Sequence, residues 1–273
     1  MSITREQIDQ FNEDGYIFCR GLFDAEEVEL LRTAAHDTQA IQENAANIED
    51  AEGKISRLTL WNHPGDDIFG MVGRCHRVVD TAEALLADEV YHYHSKLSMK
   101  EPKVGGAWEW HQDYGYWYQN GCLFPDMLSC MIALDPATKL NGCMQVLKGS
   151  NRLGRIEHGF TGDQTGADLD RVEEAKKVLE LVYAEMEPGD ALFFHGNTLH
   201  CSSANESDFP RWMLIGCYNT KHNNPYKEHH HPQYTPLDKV PDSAIKDYAA
   251  SGVDAHTDYL NTHEDDTTKA GKH

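Results

Sequence analysis

Trp108-Glu109-Trp110-His111-Gln112-Asp113-Tyr114-Gly115-Tyr116-Trp117 sets an imidazole and a carboxylate two positions apart within a run of aromatics. On an extended chain, side chains at i and i+2 leave the same face, so a strand here turns His111 and Asp113 into one pocket. A distant His would complete a 2-His-1-carboxylate set, which holds a metal on one side and keeps other coordination positions open. With 16 His in the chain the spacing alone is weak, so the weight falls on the residues around it.

Outward from this stretch, short strands are expected at 107–113, 128–134, 143–147, 191–195, 199–203 and 211–219. Turn signals such as Asn141-Gly142 and Pro188-Gly189-Asp190 separate them. Many short strands of this kind suggest a sandwich or barrel. Upstream, 89–100 reads as a strand with His92, His94, Lys96 and Ser98 on one face, a polar and partly cationic face that fits a pocket wall. Residues 55–61 alternate as another strand, with Arg57, Thr59 and Trp61 on one side.

Helices are expected at 4–15, capped by Thr4, from Ala25 to about Gln39, capped by Asp24, and over most of 66–86. Residues 40–54 read as a polar, acidic loop. One further helix is expected at 168–184, and the Gly-rich, acidic 158–168 before it as a lid. Helices first and strands after give an α+β, mostly β chain with flanking N-terminal helices. We expect one domain over 1–260, its β core at about 88–220, and a disordered tail at 261–273.

Lys and Arg total 24 against 45 Asp and Glu, a formal net charge of −21. That balance argues against binding nucleic acid or an anionic membrane, while leaving room for a locally basic pocket. Seven scattered Cys with no C-x-x-C pair point to a reducing compartment rather than a disulfide framework. Neither a signal peptide nor a run of about 18 apolar residues is present. A soluble cytoplasmic protein, monomeric or homodimeric, is expected.

The second half supplies partners for His111 and Asp113. An apolar strand after Pro188-Gly189-Asp190 leads to His200, with Ser202 on the same side and Arg211 opening the next strand. An Arg beside a His suits a dicarboxylate, because guanidinium clamps carboxylate through two bonds and keeps its charge when buried.

Together, W-x-W-H-Q-D-Y-G-Y-W (108–117), N-G-C-M-Q-V-L-K-G-S-N (141–151), P-G-D-A-L-F-F-H-G-N-T-L-H-C-S (188–202) and Arg211 closely resemble the phytanoyl-CoA dioxygenase superfamily. These are Fe(II)- and 2-oxoglutarate-dependent oxygenases, here nearest in motif to the ectoine-hydroxylase-like branch. The resemblance runs from about Thr4 to Tyr218. It implies a double-stranded β-helix, a jelly-roll, cupin-like barrel. It implies that His111, Asp113 and His200 bind iron and that Arg211, supported by Ser202, pairs with the distal carboxylate of 2-oxoglutarate. Trp117 matches an aromatic beside metal and co-substrate, and Lys96 and Ser98 fall on the strand lining the co-substrate pocket. O₂ is the second co-substrate, ascorbate the usual reductant in vitro, and succinate and CO₂ the co-products. The oxidant is a metal-bound ferryl, with no separate protein acid or base. Because Asp113 is present where halogenases carry a small residue, hydroxylation is implied.

For the substrate we expect Arg57, Thr59, Trp61 and His94 to face the pocket, with Tyr114 and Tyr116 near its mouth. That mixture favours a small polar molecule such as an amino acid, a betaine or an aminophosphonate, since aromatic faces hold cations and Arg or His holds acids. An acyl-CoA would want an apolar groove and a basic patch. The competing readings are an acyl-CoA hydroxylase of the same superfamily, a non-catalytic metal-binding barrel, and a zinc hydrolase. The last two leave Arg211 without a role. His195, the nearest rival to His200, lacks the offsets to Ser202 and Arg211, and His229-His230-His231 reads as an exposed polar stretch.

Overall fold

The structure, a computed structural model, describes residues 3–161, 164–252 and 258–260. The expected tail at 261–273 lies outside the described residues. The chain opens with α1 (Arg5–Asp14), where Thr4 and Gln7 exchange capping bonds, then β1 (Tyr16–Cys19) and α2 (Ala25–Asp37), capped by Asp24 with Glu27. There follow α3 (Gln39–Glu43), β2 (Ala46–Glu49), β3 (Ile55–Trp61), α4 (Ile68–Arg74), α5 (His76–Leu86) and β4 (Val90–Lys100). The site region comprises β5 (Trp108–His111), α6 (Asp113–Gln119), β6 (Met127–Ala133), β7 (Met144–Leu147), β8 (His158–Thr161) and β9 (Gln164–Ala167). The last elements are α7 (Leu169–Val178), β10 (Leu181–Ala184), β11 (Ala191–His195), β12 (His200–Ser202), β13 (Arg211–Thr220) and α8 (Ala244–Ser251).

The strands form a seven-stranded sheet, β1-β11-β6-β13-β4-β3-β2, a four-stranded sheet, β10-β7-β12-β5, and the β8-β9 hairpin. All pairs are antiparallel. In β6, Leu128, Cys130 and Ile132 join one core while Met127, Met131 and Ala133 join another. The same alternation splits Phe193 from Phe194 and Leu214 from Ile215. Both faces of the large sheet are therefore buried, which is why β11, β6 and β13 read as largely apolar runs, whereas β4 carries polar side chains on one face. One face packs under α1, α2, α4, α5 and α8. The other meets Met144, Val146 and Ala184 of the small sheet. The expected jelly roll is thus two facing sheets, without one hydrogen-bonded ring closing them. Among the described residues, no helix is long and apolar enough to cross a membrane.

Three expectations change. The loop expected at 40–54 contains α3 and β2, and β2 is held by backbone pairing with β3 that composition does not reveal. The helix expected at 168–184 stops at Val178, and Leu181–Ala184 pairs with β7 instead. Asp113 is not on the strand with His111 but is the first residue of α6, after an extended Gln112 at φ −114°, ψ 131°. That one extended residue still brings both side chains to the same place.

Candidate metal centre and co-substrate pocket

β5 and β12 are antiparallel neighbours with His111 directly opposite His200, their ring centroids 4.1 Å apart. Each ring is aimed through Nδ1, which lies 2.6 Å from the Glu109 carbonyl in His111 and 2.9 Å from the Thr198 carbonyl in His200. A carbonyl only accepts, so each Nδ1 holds the proton and each Nε2 keeps its lone pair. The two Nε2 atoms stand 3.8 and 3.9 Å from Asp113 Oδ1, and the three donor atoms lie within 4.8 Å of one another. Ser129 Oγ donates to Asp113 Oδ2 at 2.6 Å, and Lys96 Nζ lies 3.7 Å from Oδ1.

Burial alone would raise the Asp113 pKa. Lys96, the two imidazoles and the Ser129 hydroxyl outweigh it and hold the carboxyl well below its ordinary range. Burial, reinforced at His111 by the neighbouring His200, pushes both imidazoles below theirs. The set at neutral pH is two neutral imidazoles and one carboxylate, the protonation state a divalent cation requires.

These residues sit in a cavity of about 160 Å³ between the two sheets, also lined by Arg211, Ser202, Ser98, Lys96, Trp117, Tyr116 and His94. Arg211 is 2% exposed, its Nε is buried without a hydrogen-bond partner, and no carboxylate among the described residues forms an ion pair with it. Burial lowers its pKa to about 10, which leaves it charged at neutral pH. Sequence reasoning missed Lys100, the strand partner of Arg211. It is fully buried, and its Nζ donates to Ser202 Oγ at 2.7 Å and to the Ser203 carbonyl at 2.6 Å. Ser202 accepts from Lys100, so its own O–H is free to donate. The signal was available, because Lys100 continues the alternation His94, Lys96, Ser98.

Gln112 was also missed. Its buried amide donates to the Gly154 and Asn197 carbonyls and accepts from Ile156 N–H, bracing the turn between His111 and Asp113.

Four expected pocket residues lie elsewhere. Leu58 and Leu60 of β3 face the cavity, so Arg57, Thr59 and Trp61 point away. Arg57 bonds to Gln42, Thr59 to the Ile41 carbonyl, and Trp61 is wholly buried in the helix-side core. Tyr114 turns its hydroxyl to the Leu123 carbonyl, whereas Tyr116 remains at the cavity and donates to the Thr165 carbonyl. His195 packs against Phe11, away from the cavity. The stretch expected to lie exposed at His229–His231 instead buries His231 against the cavity.

Residues 11–213 match the family Phytanoyl-CoA dioxygenase (PhyH). The chain is 27% identical over 244 residues to L-proline trans-4-hydroxylase of Streptomyces griseoviridis, covering 82% of this chain and 91% of that one. It is 29% identical over 237 residues to ectoine dioxygenase of Sphingopyxis alaskensis, covering 81% and 77%. The crystal structure of EctD from S. alaskensis with 2-oxoglutarate and 5-hydroxyectoine superposes with a TM-score of 0.74 at 25% identity, covering 88% of each chain. The chain belongs to the phytanoyl-CoA dioxygenase family and is an iron- and 2-oxoglutarate-dependent dioxygenase.

Proposed function

We propose that this enzyme hydroxylates an unactivated C–H bond of a small polar metabolite, within one catalytic domain spanning 1–260. In this reading His111, Asp113 and His200 hold the iron, and Arg211 with Ser202 receives the distal carboxylate of 2-oxoglutarate. The observation that carries it is the buried, unpaired guanidinium of Arg211 in the same cavity as the three donor atoms. A structural arginine at that depth would carry a partner carboxylate, and neither a non-catalytic barrel nor a zinc hydrolase gives it one.

Bound Fe(II) with 2-oxoglutarate and O₂ supplies the oxidising power for C–H cleavage, with release of succinate and CO₂. The chain's own residues do the rest. The Glu109 and Thr198 carbonyls fix the tautomers of the two imidazoles, and Ser129 fixes the carboxylate rotamer. Lys96 balances the charge of Asp113 while the site is being loaded. Lys100 turns the Ser202 hydroxyl into a donor beside Arg211. Trp117 and Phe194 wall the cavity and keep bulk water from it. Room is limited: water positions take roughly 10–15 Å³ each on this measure, so the cavity suits 2-oxoglutarate with a compact partner rather than an acyl-CoA. Substrates of the relatives, proline and ectoine, are of that size. Seven unpaired, buried cysteines support a reducing, cytoplasmic setting, for a monomer or homodimer.

The test is succinate formation with Fe(II), ascorbate and 2-oxoglutarate, with and without amino acids, betaines, aminophosphonates and acyl-CoAs. We expect one small-metabolite class to raise succinate above background. His111→Ala should lower it by at least about a hundredfold while leaving the melting temperature within a few degrees. An active His111→Ala enzyme, or stimulation by acyl-CoA alone, overturns the reading.

A further inference from the structure

Lys100 ends β4, and its partner across the ladder is Arg211, the first residue of β13. Two cations therefore share one corner of the cavity wall. Lys100 is wholly buried, and its stem lies under Gly105, where an added Cβ would stand 2.7 Å from Lys100 Cβ. The side chain stops behind Ser202, which lines the cavity while Lys100 does not. Its Nζ has three acceptors, Ser202 Oγ at 2.7 Å, the Ser203 carbonyl at 2.6 Å and the Ser202 carbonyl at 3.4 Å, and none is a carboxylate. Among the described residues Ser202 Oγ has no other hydrogen-bond partner.

Proton counting ties the two side chains together. An ammonium has three N–H donors and no acceptor, so a charged Lys100 serves all three contacts and leaves the Ser202 O–H free to point into the cavity. A neutral amine has two N–H groups and one lone pair. The two carbonyls can only accept, so they take both N–H groups, and the lone pair falls to Ser202 Oγ, which must then turn its proton inward. In that state Oγ shows only lone pairs to the cavity and repels a carboxylate instead of binding it. We infer that Lys100 is a positioning residue whose proton sets the direction of the Ser202 hydroxyl, so that the pocket receives the distal carboxylate of 2-oxoglutarate only with a proton on Lys100. This rests on the co-substrate reading above and adds a linked proton to it.

The surroundings make that proton labile. Burial and the Arg211 guanidinium both push the Lys100 pKa well below the ordinary lysine value. Facing it from β12 and from the turn before β7 are Cys201 and Cys143, and burial raises these thiols to about 12 and about 11, so they stay neutral. Asp50 supplies the carboxylate that faces it, and the backbone N–H groups of Glu52, Lys54 and Ala107 hold that carboxylate in place. A carboxylate bound at Arg211 and Ser202 offsets the charge that disfavours the ammonium, so it raises the Lys100 pKa. Affinity for 2-oxoglutarate is therefore full below the Lys100 pKa of the free enzyme and falls as pH climbs through it.

Enzyme loaded anaerobically with Fe(II) is titrated with 2-oxoglutarate by calorimetry between pH 6.5 and 8.5, at each pH in two buffers of different ionisation enthalpy. The difference between buffers counts the protons taken up on binding. We expect the wild type to take up a fraction of a proton that grows with pH, and to lose at least about fivefold in affinity over the range, against a limit of about tenfold per pH unit for one proton. Lys100→Met should bind at least about tenfold more weakly at pH 6.5, with neither the uptake nor the pH slope. In a Ser202→Ala background the further loss from Lys100→Met should shrink to about threefold or less, because the lysine acts through that hydroxyl. A purely structural lysine would lower affinity without changing the slope. Wild-type affinity that is flat in pH with no proton uptake, uptake that survives in Lys100→Met, or an undiminished loss in the Ser202→Ala background overturns the inference. The wild-type measurement needs no variant, so the inference can fail even where Lys100→Met does not fold. No binding of 2-oxoglutarate at any pH, or wild-type affinity in Arg211→Met, overturns the co-substrate reading and this one with it.

Discussion

Arg211 brings a charge into a cavity where no carboxylate among the described residues pairs with it, an arrangement that costs stability and that the proposed binding of 2-oxoglutarate would account for. Replacing a buried ion by an apolar side chain of similar volume often stabilises by roughly 1–4 kcal/mol. We therefore expect Arg211→Met to raise the melting temperature of the metal-free enzyme, at about 2–4 °C per kcal/mol for a chain of this size. The same variant should weaken 2-oxoglutarate binding at least about tenfold and lose the thermal stabilisation that 2-oxoglutarate gives the wild type. A variant less stable than wild type without ligand would mean that Arg211 has a structural partner after all. At this scale the candidate site was legible where chemistry restricts residue type: few side chains can ligate a metal or clamp a carboxylate, and His111, Asp113, His200 and Arg211, which the fold brings to one cavity, stood out on that ground. Lys100 and Gln112 did not, because a lysine bonded to a serine hydroxyl and a glutamine bonded to carbonyls leave no distinctive spacing.

Strand faces are where the sequence misled. β3 alternates cleanly, but alternation fixes only that two faces exist, not which one meets the cavity. The polar side, Arg57 and Thr59, is consumed by bonds to the α3 region, and the pocket takes Leu58 and Leu60. Arg57→Ala should leave the KM for 2-oxoglutarate within about twofold. Leu60→Arg, which puts an unpaired cation into the cavity wall, should reduce turnover at least about tenfold. The opposite ranking would restore the polar face to the pocket.

A second element-scale feature is the turn after β13, where His222 bridges Asp88 through Nδ1 at 2.6 Å and Asp126 through Nε2 at 2.8 Å. Hydrogen bonds to those two carboxylates raise its pKa above the ordinary 6.5. A raised folded-state pKa stabilises fully below the unfolded value and fades as pH climbs through the folded one. His222→Ala should therefore lower the melting temperature at pH 6 and have little effect at pH 9. Half the ring is exposed, so screening keeps the difference below about 1 kcal/mol. Equal effects at both pH values would show that the ring acts by packing on Phe124 instead.

At the scale of the whole molecule, the α+β class was legible because helices come first and strands after, and because β11, β6 and β13 carry largely apolar residues to two buried faces. What the order could not give was the return of His231 to the cavity lining, since its contact with Asn62 spans 169 positions of chain. The other global property is charge. A net −21 surrounds the cavity proposed above to bind a dianion, so on that proposal the long-range field repels the co-substrate while the local field attracts it. The two have different reach. The Debye length falls from about 30 Å at 0.01 M salt to about 8 Å at 0.15 M, so salt removes the repulsion of the outer surface well before it weakens contacts made inside. We expect kcat/KM for 2-oxoglutarate to rise as NaCl goes from 10 to about 150 mM, and the melting temperature to rise with it as self-repulsion is relieved. Steady-state rates at fixed pH, with Fe(II) saturating, read the first and a thermal scan the second. A fall in kcat/KM over that range would mean that Arg211 and Lys96 already project a net attractive field through the cavity mouth, and that capture of the dianion is steered rather than hindered.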